Sequence, residues 1–165
     1  MDTLFWLRVS HILFGVVWVG ADAFITLILF PRLKALGPEI ERPVMKSLMR
    51  SVPPVMMVSS VVTLVSGVLL IGESRGWSVL FSTGWGWAIF ISLVLTGLAV
   101  IVGFGALPPI TMRYEKLYKT VEGRSATLDE SRRLDSLTSS ATVLGRINSV
   151  MLLIVVVAMA IATVV

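Results

Sequence analysis

Four long apolar runs, three of them without any acidic or basic side chain, constrain the fold of this chain more than any other feature. A helix needs about 20 consecutive apolar residues to cross a bilayer, and the runs lack the alternation of a lipid-facing strand. We therefore predict an all-α, polytopic membrane protein, a four-helix transmembrane bundle that forms one domain over residues 1–165. The spans are expected near 4–30, 54–72, 84–105 and 143–164.

Composition supports this class and excludes others. Hydrophobic residues make up 56% of the 165 positions, against about 45–50% in a soluble domain. The absence of cysteine excludes disulfides and thiolate metal sites. The net charge of +4 is interpreted as a topology signal and not as a nucleic-acid surface. The lipid bilayer is the expected partner.

The distribution of basic residues predicts an orientation. Loop 31–53 carries five and loop 106–142 carries six of the fourteen lysines and arginines. Basic loops stay on the cytoplasmic side of a membrane. Both loops are thus predicted to be cytoplasmic and both termini to lie outside, in a multi-pass protein of the cytoplasmic membrane.

The cytoplasmic loops are expected to contain short amphipathic helices, one of them near 39–51. The pair Pro53–Pro54 is predicted to open the second span, and Pro108–Pro109 to kink or break the chain after the third. Thr127 and Glu130 have the spacing of a capping box. The fourth helix is predicted to start there and to enter the membrane as one long rod.

His11 and Asp22, the only ionisable residues between Arg8 and Arg32, lie eleven positions apart. That separation is close to three whole turns, so both occupy one face of the helix. Ionisable groups are unfavourable against lipid, and we predict that this face turns into the bundle. Gly15 and Trp18 lie on the same face.

Other polar residues of the spans are given structural roles. Asp22 and Arg146 are expected at a similar depth near the inner boundary, and we predict that they form a structural ion pair. Small hydroxyl residues and asparagine in spans commonly hydrogen-bond between packed helices. This polar packing role is predicted for Ser59, Thr63, Ser66 and Asn148.

His11 has three interpretations: a hydrogen-bonded structural residue, a proton carrier, or an axial ligand of haem iron. Haem iron accepts neutral imidazole, and helical bundles commonly hold cofactors on inward-facing residues. Gly15 would leave room beside the imidazole for a flat ligand or for a neighbouring helix. In the haem interpretation His11 is the metal ligand, and Gly15 and Trp18 line the macrocycle.

Three segments resemble one known superfamily. "LRVSHILFGVVWVGA", which contains Arg8, His11 and Trp18, resembles the first helix of the four-helix membrane proteins related to HemJ-type protoporphyrinogen oxidases and the copper-resistance-D (CopD) group. "GWGWAIFISLVLTG", from Gly84, resembles the start of their third helix, and "GRINSVMLLIVVV", from Gly145, the start of their last. The resemblance covers most of the chain.

This resemblance implies haem b bound at His11. The positions where the oxidases carry histidine and lysine in the third helix read Trp87-Ala88-Ile89 here, which argues against porphyrinogen oxidase activity. No catalytic residue is assigned. The expected function is a haem-b-binding membrane protein that transfers electrons or handles haem.

Two alternatives stay open. One is a non-catalytic membrane subunit of a larger complex. The other is a small solute or metal-ion permease that uses Asp22 and the hydroxyl residues of the second span. Small-residue faces also suit a homodimer.

Overall fold

The computed structural model describes residues 2–164, except for the side chain of Met49, and contains no strand within that range. Its four long helices are each long and apolar enough to cross a membrane. The predicted all-α fold with four spans is thus confirmed. The helices are α1 (Thr3–Ala35), α2 (Pro38–Ser74), α3 (Gly84–Val121) and α4 (Leu128–Ala162), with a single 3₁₀ turn at Trp77–Val79 between α2 and α3.

Each helix runs antiparallel to the helix before it in the chain, which gives the bundle two distinct ends. We call the end that carries both termini and the α2–α3 connection the terminal end. The opposite end, with the α1–α2 and α3–α4 connections and most of the lysine and arginine residues, is the basic end. Large apolar side chains such as Val16 and Ile101 remain exposed between the ends, as expected for a surface that faces lipid.

Helices α1 and α3 each contain a six-residue π-helical segment, Phe24–Leu29 and Ile101–Ala106. Each segment ends two residues before a proline, Pro31 or Pro108. Proline has no amide hydrogen and its ring clashes with the carbonyl four residues earlier. The wider π turn accommodates that clash, so α3 does not break at Pro108 and continues to Val121.

The segments expected as short amphipathic helices are helical but not separate. Helix α2 begins at Pro38 and passes through Pro43, Pro53 and Pro54 without interruption. Residues 39–51 are therefore the first turns of the helix that becomes the second span. Pro53 and Pro54 lie inside this helix and do not open it.

Helix α4 starts as predicted. The backbone N–H of Glu130 donates to the Thr127 hydroxyl, and the backbone N–H of Thr127 donates to the Glu130 carboxylate, which completes the capping box. From there one continuous helix of 35 residues extends to Ala162. At about 1.5 Å per residue it is a rod of roughly 50 Å.

The bundle is assembled from two helix pairs. Helix α1 packs along α2, α3 packs along α4, and the pairs are joined mainly where α1 contacts α4. The central core lies at this junction, where Trp18 of α1 meets Ala99 of α3 and Leu152 of α4. This arrangement gives the polar face of α1 two different partners, α2 and α4.

Candidate functional site

The polar residues of α1 belong to two separate sites. The histidine site, nearer the terminal end, consists of His11 with Thr63, Ser66 and Gly67 of α2. The aspartate site, nearer the basic end, consists of Asp22 with Asn148 and Ser149 of α4. Eleven residues of helix separate His11 from Asp22, roughly 16 Å along the axis.

The histidine ring is held by the backbone of α2. His11 Nδ1 lies 2.8 Å from the carbonyl oxygen of Thr63. A carbonyl can only accept, so Nδ1 carries the hydrogen and Nε2 keeps its lone pair. Nε2 makes no hydrogen bond to any residue that the structure describes. The Ser66 hydroxyl lies 3.5 Å from Nδ1 and donates to the carbonyl of Val62 at 2.6 Å.

Gly67 provides the space that the ring occupies. A Cβ atom built at this position would lie 2.8 Å from Cε1 and 3.1 Å from Nδ1 of His11. Contacts that short are not tolerated, so any side chain here would push the imidazole away. The ring is half-buried and is directed at α2 instead of the centre of the four-helix bundle.

Gly15 and Trp18 have packing roles in the structure. A Cβ at Gly15 would lie 3.6 Å from the Thr63 side chain, so the face of this glycine is covered by α2. Trp18 is only 5% exposed and belongs to the central core with Ala99 and Leu152. Both residues thus take part in helix packing, and the lining of a macrocycle by these two residues stays a prediction.

The aspartate site is formed by side chains from two helices. Asn148 Nδ2 donates to Asp22 Oδ1 at 3.0 Å, and the Ser149 hydroxyl donates to Asp22 Oδ2. All three residues are buried. Each carboxylate oxygen of Asp22 therefore accepts one hydrogen bond from a neutral group.

The prediction that Asp22 forms an ion pair with Arg146 was wrong, because its partners in the structure are Asn148 and Ser149. No ion pair among the described residues includes Asp22, and Arg146 is exposed. Because successive residues turn by about 100°, Arg146 and Asn148 point in nearly opposite directions from α4. Asn148 and Ser149 are the residues that meet Asp22, and Arg146 lies in the lining of a pocket at the basic end.

One polar atom of the aspartate site lacks a partner. Asn148 Oδ1 is buried and, within the part of the chain that the structure describes, accepts no hydrogen bond. Thr26, one turn beyond Asp22 in the π-helical segment, is also buried. A Cβ built at Gly145 would lie 3.1 Å from Cγ2 and 3.3 Å from Oγ1 of Thr26, so Gly145 allows α4 to approach α1 here.

A pocket of about 140 Å³ opens at the basic end, between α1, the first turns of α2 and α4. Its lining includes Phe30 and Thr142, each about one turn from the Thr26–Gly145 contact, together with Lys34, Glu41 and Arg146. Burial raises the pKa of the Glu41 carboxyl above its usual value, and the positive charge of Lys34 opposes this shift.

The hydroxyl groups of Thr63 and Ser66 donate hydrogen bonds to backbone carbonyls of their own helix, α2. The Thr63 hydroxyl donates to the carbonyl of Ser59 at 2.7 Å, as Ser66 does to Val62. Ser59 and Ser66 are buried. Thr63 lies against Gly15 of α1, and Ser66 lies near His11 of α1. In the described residues their hydroxyls do not form a continuous chain of hydrogen bonds between helices.

Sequence reasoning missed Ser149, a member of the aspartate site, and Thr26, which lies next to the site. Ser149 follows Asn148 directly, and two adjacent polar residues inside an apolar run were a signal for it. Thr26 is four residues after Asp22, which places both on one helix face. The sequence pattern favoured a charged partner for Asp22, Arg146, instead.

Among the described residues no group of three or more histidine, cysteine, aspartate or glutamate side chains could hold a metal ion. Comparisons with known protein families, curated proteins and solved structures found no match to this chain. The resemblance to the HemJ and copper-resistance-D proteins therefore stays a prediction, and function must be argued from the two sites themselves.

Proposed function

We propose that this protein binds haem b in the membrane, with Nε2 of His11 as an axial ligand. The observation that supports the proposal is the hydrogen bond from His11 Nδ1 to the Thr63 carbonyl. Histidines that bind metals typically donate their other N–H to a carbonyl or carboxylate, which fixes the tautomer and the ring orientation. His11 has this arrangement, and its Nε2 is free to coordinate.

The donor set fits one axial position of a haem. His11 is the only histidine of the chain, and haem iron is commonly held by a single proximal imidazole. The residues that would support the cofactor are thus His11, the Thr63 carbonyl and Gly67. Gly15 and Trp18 are not part of this proposal, because both are used in helix packing. A bound haem would supply one-electron redox chemistry.

Visible absorption of the full-length protein tests the proposal. The protein is expressed with a haem precursor, purified in detergent, and examined for a Soret band and for the pyridine haemochrome of haem b. We expect the band in the wild-type protein and its loss in His11→Ala. In His11→Gly, free imidazole should restore the band, because it replaces the missing ligand without restoring any packing.

A pair of glycine variants controls for general damage. Gly67→Ala places a methyl group against the ring and should lower haem occupancy. Gly20→Ala, on the same helix as His11, has no neighbouring atom within 4 Å of the added Cβ and should keep wild-type occupancy. A wild-type protein without a Soret band, or a band unchanged in His11→Ala, contradicts the proposal.

We also infer that the protein resides in the cytoplasmic membrane with its basic end in the cytoplasm. The support is the concentration of lysine and arginine in the two connections of that end, according to the positive-inside rule. The chain contains no cysteine, so single cysteines at Ser78 and Ser125 can be labelled without background. Impermeant thiol reagents should reach position 78 in intact cells and position 125 only after lysis.

A further inference from the structure

The aspartate site contains a buried carboxyl group without a basic partner among the described residues. Asp22 is 8% exposed, and it contacts an amide and a hydroxyl but no basic side chain among the described residues. An ionised carboxylate inside a membrane is unfavourable unless it is paired. A single carboxylate calls for one positive charge, and neutral donors supply none.

The same site contains an unsatisfied acceptor. Asn148 is 3% exposed, and its Oδ1 has no hydrogen-bond partner in the described chain, although buried polar atoms are normally partnered. A proton held between Asp22 and Ser149 would neutralise the carboxylate and leave this amide oxygen unpartnered. A cation bound by both residues would neutralise the charge and also satisfy the amide oxygen.

The ligand chemistry points to a small monovalent ion. Hard cations bind carboxylate, carbonyl and hydroxyl oxygens, which are the groups that this site offers. Divalent ions usually require more than one carboxylate, and no group of three acidic or imidazole side chains occurs in the part of the chain that the structure describes. One carboxylate and one amide oxygen match a single positive charge.

The pocket at the basic end lies on the side from which an ion would approach the site. The pocket lined by Phe30 and Thr142 ends about one helical turn from the contact between Thr26 and Gly145. That contact lies about one further turn from Asp22. The buried Thr26 hydroxyl thus lies between the pocket and the carboxylate, where an ion that loses water needs an oxygen ligand.

We propose that Asp22 and Asn148 Oδ1 form a binding site for a monovalent cation, reached from the basic end past Thr26. This site is separate from the histidine site and does not depend on haem binding there. It assigns a ligand to the only buried carboxylate contact between α1 and α4 in the described structure.

Direct binding of radioactive sodium to the full-length protein in detergent tests the proposal. We expect saturable binding that unlabelled sodium displaces and that choline at equal ionic strength does not. Potassium serves as the second probe. Asp22→Asn keeps the shape of the side chain and removes its charge, and it should lower affinity at least about 10-fold. Ser92→Ala removes a buried hydroxyl of α3 and should bind as the wild type does.

Thermal unfolding gives a second measurement that does not rely on a labelled ion. A ligand that binds only the folded state raises the Tm with its concentration, by roughly 5–10 °C at about 100 times its Kd. The shift should be present in NaCl, absent in choline chloride and lost in both Asp22→Asn and Asn148→Leu. If neither sodium nor potassium binds or shifts the Tm, if only pH shifts it, or if Asp22→Asn keeps the effect, the proposal is overturned.

Discussion

The histidine site and the aspartate site lie on the same helix but are built differently. At the histidine site a side chain contacts a backbone carbonyl of α2, and a glycine provides the space. At the aspartate site three buried side chains from two helices hydrogen-bond to one another. At the first site Nε2 of His11 makes no hydrogen bond to the described residues. The second contributes to holding α1 and α4 together, and its members depend on each other.

The largest effect is expected when the aspartate site is taken apart. Asp22→Ala leaves the Asn148 amide and the Ser149 hydroxyl without their acceptor, and Asn148→Ala removes a donor from a buried carboxylate. Each change should lower the free energy of unfolding by about 1–3 kcal/mol. The double variant should lose less than the sum, with a coupling of about 0.5–3 kcal/mol. Reversible unfolding in mixed detergent micelles measures all four proteins.

The matched control for this cycle is Arg146. Asp22 forms no ion pair with Arg146 among the described residues, so Asp22→Ala and Arg146→Ala should be additive within about 0.5 kcal/mol. Strong coupling with Arg146, together with none for Asn148, would show that the carboxylate pairs with the guanidinium after all.

The next effect in size concerns the two glycines at which α1 meets its neighbours. Gly67→Ala places a Cβ 2.8 Å from the His11 ring, and Gly145→Ala places one 3.1 Å from Thr26. Overpacking of this kind typically lowers stability by about 1–3 kcal/mol, and Gly67→Ala should have the larger effect. Thermal unfolding of both variants, beside Gly97→Ala with its open surroundings, would measure the difference. Equal gains in all three would mean that glycine acts here through helix propensity alone, because alanine is the better helix former.

Loss of the imidazole should have a smaller effect on stability. His11→Leu removes one hydrogen bond, worth about 0.5–1.5 kcal/mol, but the Thr63 carbonyl keeps its bond within α2. The same micelle unfolding experiment measures this change. A loss larger than that of Asp22→Ala would reverse the comparison and give His11 a mainly structural role.

The sequence predicted the architecture because lipid imposes simple rules. Uncharged runs of sufficient length can only become spanning helices, and the capping box at Thr127 marks the start of α4 by local chemistry alone. The predicted helix boundaries at Pro53–Pro54 and at Pro108–Pro109 were less accurate. Whether a helix ends at a proline or widens into a π turn before Pro31 and Pro108 depends on the neighbouring helices, which the residue pattern does not report.

The sites were only partly predictable. Periodicity showed correctly that His11 and Asp22 share a face of α1, but it could not show which helix covers each half of that face. The sequence pattern favours a charged partner for Asp22, whereas in the structure Asn148 and Ser149 are its partners and Arg146 is exposed. The space at Gly67 is invisible in the sequence, because it follows from the distance between α1 and α2.

The smallest effect should come from Thr63→Val, and it separates the role of the backbone at the histidine site from that of the side chain. His11 binds the carbonyl of Thr63, while the hydroxyl donates back to Ser59 in the same helix. Valine keeps the carbonyl and nearly the same shape, and bonds of this back-donating kind contribute little to helix stability. We expect a change in unfolding free energy below about 0.5 kcal/mol and unchanged haem occupancy by Soret absorbance. Loss of the Soret band in Thr63→Val would show that the hydroxyl, and not the backbone carbonyl, positions the imidazole.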